Sequence, residues 1–190
     1  MVKNEFYQLF LDLLRETFDA ENQIVAALPK AIQAASDKQL KNALSQHLEE
    51  TRTQVDRLKG IFKALNENPT GMQCGSMMAL IKECQDSLAR NTVATIRDAA
   101  LIIALQKIEH YEISTYGSAR AIARHLNTSK LKGSADFDEI ADTLQQTLDE
   151  ESRADAKLTE IAEGGFFSEG INDEAEKDEL SKQKESSNRM

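Results

Sequence analysis

The stretch DAALIIALQKIEHYEISTYGSARAIA, residues 98–123, is the most informative segment of this chain. Its apolar residues recur at intervals of three and four, which is the spacing of one face of an α-helix. Glu109 and Glu112 continue the face that carries Ile102, at positions where core residues would otherwise stand. The stretch therefore predicts a helix over about 97–126 that turns two carboxylates toward the protein interior.

Three further segments have helical spacing, two before this stretch and one after it. Between the two earlier segments, Ser36 and Gln39 have the spacing of a capping box, so we expect a helix to begin there. A polar connection that ends at Gly133 separates the two later segments. Each neighbouring pair thus forms an antiparallel hairpin. The three segments span residues 4–35, 36–65 and 136–162.

A long link joins the two hairpins and carries a short amphipathic helix of its own at residues 76–90. A simple up-down-up-down bundle would not need such a link, whereas ferritin-like folds have one long crossover. We therefore predict an all-α, ferritin-like antiparallel four-helix bundle over residues 1–163. The remaining residues, 164–190, are dense in charge and nearly free of periodic apolar positions, which predicts a solvated or disordered tail.

The composition agrees with a helical protein and argues against several classes of function. The 190 residues carry a formal net charge of −9 and a sequence pI near 4.9, so nucleic-acid binding would need a basic patch that the sequence lacks. No apolar run is long enough to span a bilayer, and we expect a soluble cytoplasmic protein. Cys74 and Cys84 provide neither a zinc framework nor a CxxC redox motif.

The informative residues are five glutamates on or beside the apolar faces of the four long helices. In an antiparallel hairpin, residues equally distant from the turn lie at the same level. Glu21 and Glu50 are equidistant from the first predicted turn, and Glu112 and Glu151 are equidistant from the second. Glu109 adds a fifth carboxylate one turn before Glu112. The spacing therefore predicts that these acids meet at one level of the bundle.

Several carboxylates cannot all be ionised in an apolar interior, because desolvation and mutual repulsion raise their pKa values. Protons, buried Lys or Arg, or divalent cations could neutralise them, and no Lys or Arg lies on these faces near that level. We therefore favour a dinuclear metal centre, for which oxygen ligands suit iron or manganese. A single such glutamate is more often a solvated flank residue whose stem snorkels outward. The matched levels of all five favour the metal site.

Other polar side chains lie close to these acids in the predicted bundle. His47 precedes Glu50 by one turn and is either a metal ligand or a hydrogen-bonded core histidine. Asp155 and Tyr116 are expected to support the ligands by hydrogen bonds. The predicted ligand set therefore consists of the five glutamates, with His47 as its candidate nitrogen ligand.

Four stretches of the chain resemble the YciE/YciF-type bacterial stress-protein family, within the ferritin and rubrerythrin superfamily. The resemblance implies a ferritin-like bundle, a carboxylate-rich dinuclear metal site, a dimer and induction by general stress, in a family whose biochemical activity is poorly defined. By resemblance, the metal-binding carboxylates are Glu21, Glu50, Glu109, Glu112 and Glu151. The stretches are FDAENQIVAALPK (18–30), HLEETRTQVDRL (47–58), DAALIIALQKIEHYEISTYGSARAIA (98–123) and LQQTLDEESRADAKLTEIA (144–162).

One departure from the superfamily pattern concerns the nitrogen ligands. Ferritin-like di-iron proteins carry a His three residues after the Glu on two of their helices. Here Glu50 is followed by Thr53 and Glu151 by Ala154, whereas His47 precedes its glutamate. His47 therefore either takes a different ligand position or does not bind.

Two hypotheses of different class follow for the function. The first is a metal-binding stress protein whose di-iron or di-manganese centre reacts with oxygen or peroxide, as in ferroxidases and peroxidases. The second is a non-catalytic, weakly metallated bundle that acts as a structural or interaction protein. Cage-type iron storage is a weaker third hypothesis, because the sequence does not reveal the contacts of a shell. The expected partners are metal ions and a second copy of the chain, without nucleic acid or membrane.

Overall fold

The computed structural model describes residues 5–128, 135–165 and 168–187, so the polar connection predicted before Gly133 lies mostly outside the described residues. Within these ranges the chain forms α-helices and one short β-hairpin, and the predicted all-α class is confirmed. No helix among them is long and apolar enough to cross a membrane. The elements are α1 (Glu5–Ala34), α2 (Lys38–Leu65), α3 (Gly75–Arg90), α4 (Ala94–Thr128), α5 (Phe137–Glu163), β1 (Gly164–Gly165), β2 (Ser168–Glu169) and α6 (Ile171–Ser187).

Four long helices form the bundle, and the crossover helix covers one side of it. α1 packs on α2, and α4 packs on α5, as the two predicted hairpins require. α1 also packs on α4, and α2 on α5, which closes the four helices around a common interior. α3 belongs to the link between the hairpins and packs against α4 and α1. The predicted four-helix bundle with one long crossover is thus confirmed.

The start of α2 corrects the capping box that was predicted at Ser36 and Gln39. Asp37 is the N-cap, and its carboxylate accepts a hydrogen bond from the Leu40 amide at 2.8 Å. The Ser36 amide instead donates to the buried carboxylate of Asp98 on α4, at 2.9 Å. Because this contact between helices holds Ser36 in the turn, the cap moves to the next residue.

The residues after α5 differ from the predicted disordered tail. Ile171–Ser187 form α6, and its first residue is buried in the same core cluster as Leu101. The Thr95 hydroxyl at the start of α4 donates a hydrogen bond to Asp178 of α6 at 2.8 Å. A buried isoleucine and a polar contact therefore attach a helix that has little apolar periodicity of its own.

The bundle interior contains two hydrophobic clusters separated by a polar layer. One cluster lies toward the α1–α2 turn and includes Ile24 and Ile108. The other lies on the opposite side of the layer and includes Leu14 and Tyr116. All four bundle helices contribute buried polar or charged side chains between the clusters, and this layer positions the candidate site. Its members are Thr17, Glu21, His47, Thr51, Gln54, Glu109, Glu112, Thr115, Thr147 and Glu151.

Candidate metal centre

Four glutamates form the centre of the polar layer. Glu21 lies on α1, Glu109 and Glu112 lie on α4, and Glu151 lies on α5. Each of these residues is at most 2% exposed. Because each helix buries its apolar face against the others, it also buries the glutamate that continues that face. The structure therefore brings four of the five predicted glutamates together in the interior.

His47, Glu109, Glu112 and Glu151 offer ligand atoms that lie close together. One oxygen or nitrogen atom from each of these side chains lies within 4.8 Å of the corresponding atoms of the other three. Ligand atoms about 2.1 Å from a divalent ion stand about 3 to 4 Å apart around it. Small side-chain shifts would thus bring all four ligand atoms into contact with one ion.

When the acids are ionised, several carboxylate oxygens in this layer have no hydrogen-bond donor among the described residues. They are Oε2 of Glu21, Glu109 and Glu151, and both carboxylate oxygens of Glu112. A buried polar atom without a partner costs about 1–3 kcal/mol, and more when it is charged. Cations bound among these oxygens would satisfy them, and oxygen ligands with an imidazole suit iron or manganese. The residues present therefore fit a metal centre of this kind.

Burial and mutual repulsion favour the protonated form of these acids when no cation is bound. Burial raises the pKa of Glu21, Glu109 and Glu112 well above its ordinary value, and the charges of neighbouring acids raise it further. Burial likewise raises the pKa of Glu151 to about 7. In the absence of metal, the layer therefore retains protons at neutral pH.

His47 is the nitrogen-bearing member of this layer. Burial lowers its pKa to about 4, so the imidazole is uncharged at neutral pH. Its Nε2 atom lies 3.3 Å from Oε1 of Glu109, and its Nδ1 atom has no hydrogen-bond partner within the described part of the chain. Neutral imidazole is the form in which histidine binds metals. A buried, uncharged imidazole therefore lies beside Glu109 in the form that can bind a metal.

Tyr116 and Gln54 support two of the glutamates. The buried Tyr116 hydroxyl donates a hydrogen bond to Oε1 of Glu21, as a supporting residue should. The buried Gln54 amide donates a hydrogen bond to Oε1 of Glu151. Sequence reasoning missed Gln54, because a lone glutamine on a helix is usually solvated. The signal was its position seven residues after His47, which places both side chains on the same face of α2.

Glu150 differs from Glu151, its neighbour in the chain, because it has cationic and amide partners. Nη2 of Arg57 donates a hydrogen bond to Glu150 at 2.8 Å, and the Gln54 amide donates another at 3.1 Å. Partial burial raises the pKa of Glu150, but these hydrogen bonds and the charge of Arg57 lower it below its ordinary value. Arg57 thus pairs with Glu150, and no Lys or Arg of the described residues forms an ion pair with any of the four buried glutamates.

Glu50 and Asp155 lie outside the four-residue cluster. Glu50 is half-buried and accepts a hydrogen bond from Gln46 at 3.0 Å. It lies about 60° around the axis of α2 from His47. The distance of a residue from the turn sets its height along the bundle, but not the direction in which its side chain points. Asp155 is half-buried and accepts a hydrogen bond from Gln106 of α4 at 3.2 Å. The structure therefore places both acids at the edge of the polar layer.

A pocket of about 480 Å³ opens between α2 and α5 beside the centre. Glu50, Arg153 and Lys157 line its more exposed part, whereas the buried residues His47 and Glu109 line its inner end. Polar side chains around such an opening can exchange hydrogen bonds with water and hydrated ions. The pocket therefore gives small polar molecules access to the candidate centre.

Comparison with known proteins identifies relatives over most of the chain. Residues 5–176 match the family model described as "Domain of unknown function (DUF892)". Protein YciF of Escherichia coli (strain K12) is 37% identical over 155 residues, which cover 81% of this chain and 88% of YciF. The crystal structure of that stress protein matches with a TM-score of 0.75 at 36% identity, over 82% of this chain and 93% of the other. YcfI from Rhodopseudomonas palustris is described as a proposed structural protein. Its structure matches with a TM-score of 0.77 at 36% identity, over 85% of this chain and 99% of that chain.

Proposed function

This chain belongs to the DUF892 family, which confirms its resemblance to YciF-type stress proteins, and we propose that it is a cytoplasmic stress-response protein that binds iron or manganese at a dinuclear centre. The observation that carries this proposal is the set of buried carboxylate oxygens in the polar layer that, when ionised, have no hydrogen-bond donor among the described residues. Charge balance supports two ions, because two divalent cations neutralise the four buried glutamates.

The proposed ligands follow from the geometry of the layer. Glu109, Glu112 and Glu151 supply oxygen atoms, and His47 supplies nitrogen, to the position where their atoms converge. Glu21 extends the oxygen-rich region beside Glu112, because it lies close enough for its charge to raise the pKa of Glu112. Glu50, at the edge of the layer, joins the ligands only after its side chain rearranges.

The chain supports such a centre in several ways. The apolar clusters on both sides exclude water, and the hydrogen bonds of Tyr116 and Gln54 hold Glu21 and Glu151 in position. The buried acids release their protons as cations bind. When bound, iron or manganese supplies the redox chemistry toward oxygen or peroxide, which the side chains alone do not provide.

The test of this proposal is an anaerobic titration of the metal-free protein with Fe(II), followed by oxygen or hydrogen peroxide and monitored by absorbance. We expect saturable binding and iron oxidation faster than that of free Fe(II). Glu112→Gln should abolish both, whereas Glu49→Gln, at an exposed glutamate of α2, should leave both unchanged. Oxidation no faster than that of free iron would remove the enzymatic part of the proposal, and failure of Fe(II) to bind would remove all of it.

A non-catalytic structural role is the second candidate function. Its support is the description of YcfI as a proposed structural protein, together with the absence of His three residues after Glu50 and Glu151. Protein purified without chelator and then reconstituted with Fe(II) or Mn(II) should contain almost no metal if this function is correct. Light scattering after size exclusion would test the proposed homodimer in the same samples.

A further inference from the structure

A second, much smaller cavity reaches the candidate centre from the opposite direction to the wide pocket. It measures about 40 Å³ and lies between α1, α3 and α4. Its walls are largely aliphatic, and His47 and Glu109 belong to its lining as they do to that of the wide pocket. The wall residues that carry the argument are Ile24, Leu28, Ile81, Cys84, Leu105 and Ile108.

The walls of this apolar cavity carry no charge at neutral pH near its aliphatic end. Burial raises the pKa of the Cys84 thiol to about 11, with a further contribution from the charge of Glu83, so Cys84 is neutral. Lys30, which also lines the cavity, is exposed and lies at its surface side. Aliphatic walls of this kind favour apolar molecules such as xenon over hydrated ions. Hydrated ions would lose their water there without gaining partners.

The size of the apolar cavity limits what it can hold. A cavity needs roughly 10–15 Å³ to hold one water molecule, so a cavity of about 40 Å³ accepts one molecule of about three heavy atoms. The wide pocket, at about 480 Å³ and with charged walls, suits hydrated ions and polar molecules instead. The two cavities thus offer approaches of opposite polarity to the same pair of residues, His47 and Glu109.

We propose that the apolar cavity is a binding site for dioxygen, adjacent to the His47–Glu109 side of the candidate centre. Dioxygen is small, uncharged and apolar, and it matches the cavity in size and in the chemistry of its walls. Its use as a reactant rests on the proposed function. Its binding does not, because the cavity belongs to the metal-free chain.

The test uses the full chain, freed of metal with a chelator and labelled at isoleucine methyl groups for NMR. Under xenon pressure, the methyl signals of the buried residues Ile24 and Ile108 should shift several-fold more than those of Ile61 and Ile140. Under dioxygen pressure, the first two should show the larger paramagnetic relaxation. Ile61 and Ile140 belong to the other core cluster and are buried to a similar degree, so they control for gas dissolved in the core.

Two matched substitutions, one in each cavity, distinguish gas binding in the apolar cavity from gas binding in the wide pocket. Ala27→Leu fills the apolar cavity and should abolish the response of Ile24 and Ile108, whereas Ala154→Leu narrows the wide pocket and should preserve it. Equal responses at all four isoleucines, or a response that survives Ala27→Leu, would overturn the proposal. If Ala27→Leu does not fold, the comparison of methyl groups in the unaltered chain still decides. Because no metal is present, these outcomes are independent of the Fe(II) titration.

Discussion

Glu112 shows most clearly that the residues of the bundle interior do not serve the stability of the fold alone. Both of its carboxylate oxygens are buried and, when Glu112 is ionised, have no hydrogen-bond donor within the described residues. A core residue of similar volume without a charge would avoid this cost. The position therefore makes sense if the carboxylate binds a cation, and its substitution should separate stability from metal binding.

Glu112→Gln should increase the free energy of unfolding of the metal-free protein at neutral pH by about 1–3 kcal/mol. The amide keeps the shape of the side chain, carries no charge and can donate to neighbouring acids. Urea unfolding in the presence of a chelator measures the change. Glu50→Gln, at the half-buried edge of the layer, is the control and should change stability little. A Glu112→Gln variant that is less stable than the unaltered chain would contradict this account of the buried acid.

Because the pKa of Glu151 is raised, we expect the stability of the metal-free protein to depend on pH. The folded metal-free chain retains this proton up to about pH 7, whereas the unfolded chain loses it near the ordinary carboxyl pKa of about 4.3. Protonated Glu151 therefore contributes fully to the free energy of unfolding at a pH below that ordinary carboxyl pKa. This contribution is lost as the pH rises toward 7. The stability of the unaltered chain relative to Glu151→Gln should fall over this window and then level off. A difference that is constant or grows with pH would be contrary to the prediction.

The sequence identified the buried acids because Glu21, Glu109 and Glu112 interrupt regular apolar faces. It placed Glu50 too close to the centre, because equal distances from a turn give the level of a side chain but not its rotation about the helix. Gln54 was missed for the converse reason. Its residue type gives no warning of burial, and only the packing of α2 against α5 brings it to Glu151.

At the scale of elements, the start of α2 depends on a carboxylate from another helix. Asp98 is buried on α4 and accepts hydrogen bonds from the amides of Ser36 and Asp37, at 2.9 and 2.7 Å. The same turn is held by Arg97, whose side chain donates to the carbonyl of Ala34 at 3.0 Å. The hairpin α1–α2 is thus attached to the start of α4 through its turn.

Asp98→Asn should destabilise the protein by about 1–3 kcal/mol, because the two amides lose a charged acceptor at the positive end of α2. Urea unfolding of the metal-free chain measures this change. Asp56→Asn, at an exposed aspartate of α2, should have almost no effect. Metal binding by Asp98→Asn should remain normal, since the residue lies outside the polar layer. Equal stability of the two variants would show that the Asp98 contact does not hold the turn.

The periodicity of apolar residues predicted the helices of the bundle to within a few residues of their ends. The helix cap at α2 could not be predicted in the same way, because Ser36 is a suitable cap and only the contact with Asp98 removes it. The local sequence shows which turn residues are able to cap a helix. The contact of the turn with α4 determines which of them does so.

At the scale of the whole molecule, the polar layer divides one bundle interior into two hydrophobic clusters. The hydrophobic clusters stabilise the fold, and they do so although the layer between them contains acids whose burial is destabilising. α6 adds to the first of these clusters through Ile171. The sequence did not predict this helix, because its charged residues resemble a solvated tail and a single buried isoleucine leaves no periodic signal.

Ile171→Ala should lower the free energy of unfolding by about 2–4 kcal/mol, because it removes a buried side chain from the core. Leu180→Ala, at a residue of α6 that is 47% exposed, is the control and should change stability much less. Thermal and urea unfolding both measure the difference. If Ile171→Ala were as stable as Leu180→Ala, α6 would not belong to the stable fold.

The buried glutamates are proposed to bind divalent cations, and a direct count of bound ions tests this binding. Metal-free protein is titrated with Mn(II), and the free ion is measured by electron paramagnetic resonance while released protons are followed in weak buffer. We expect about two ions per chain, bound with proton release and lost in Glu112→Gln combined with Glu151→Gln. Absence of bound Mn(II), or binding that survives both substitutions, would contradict it.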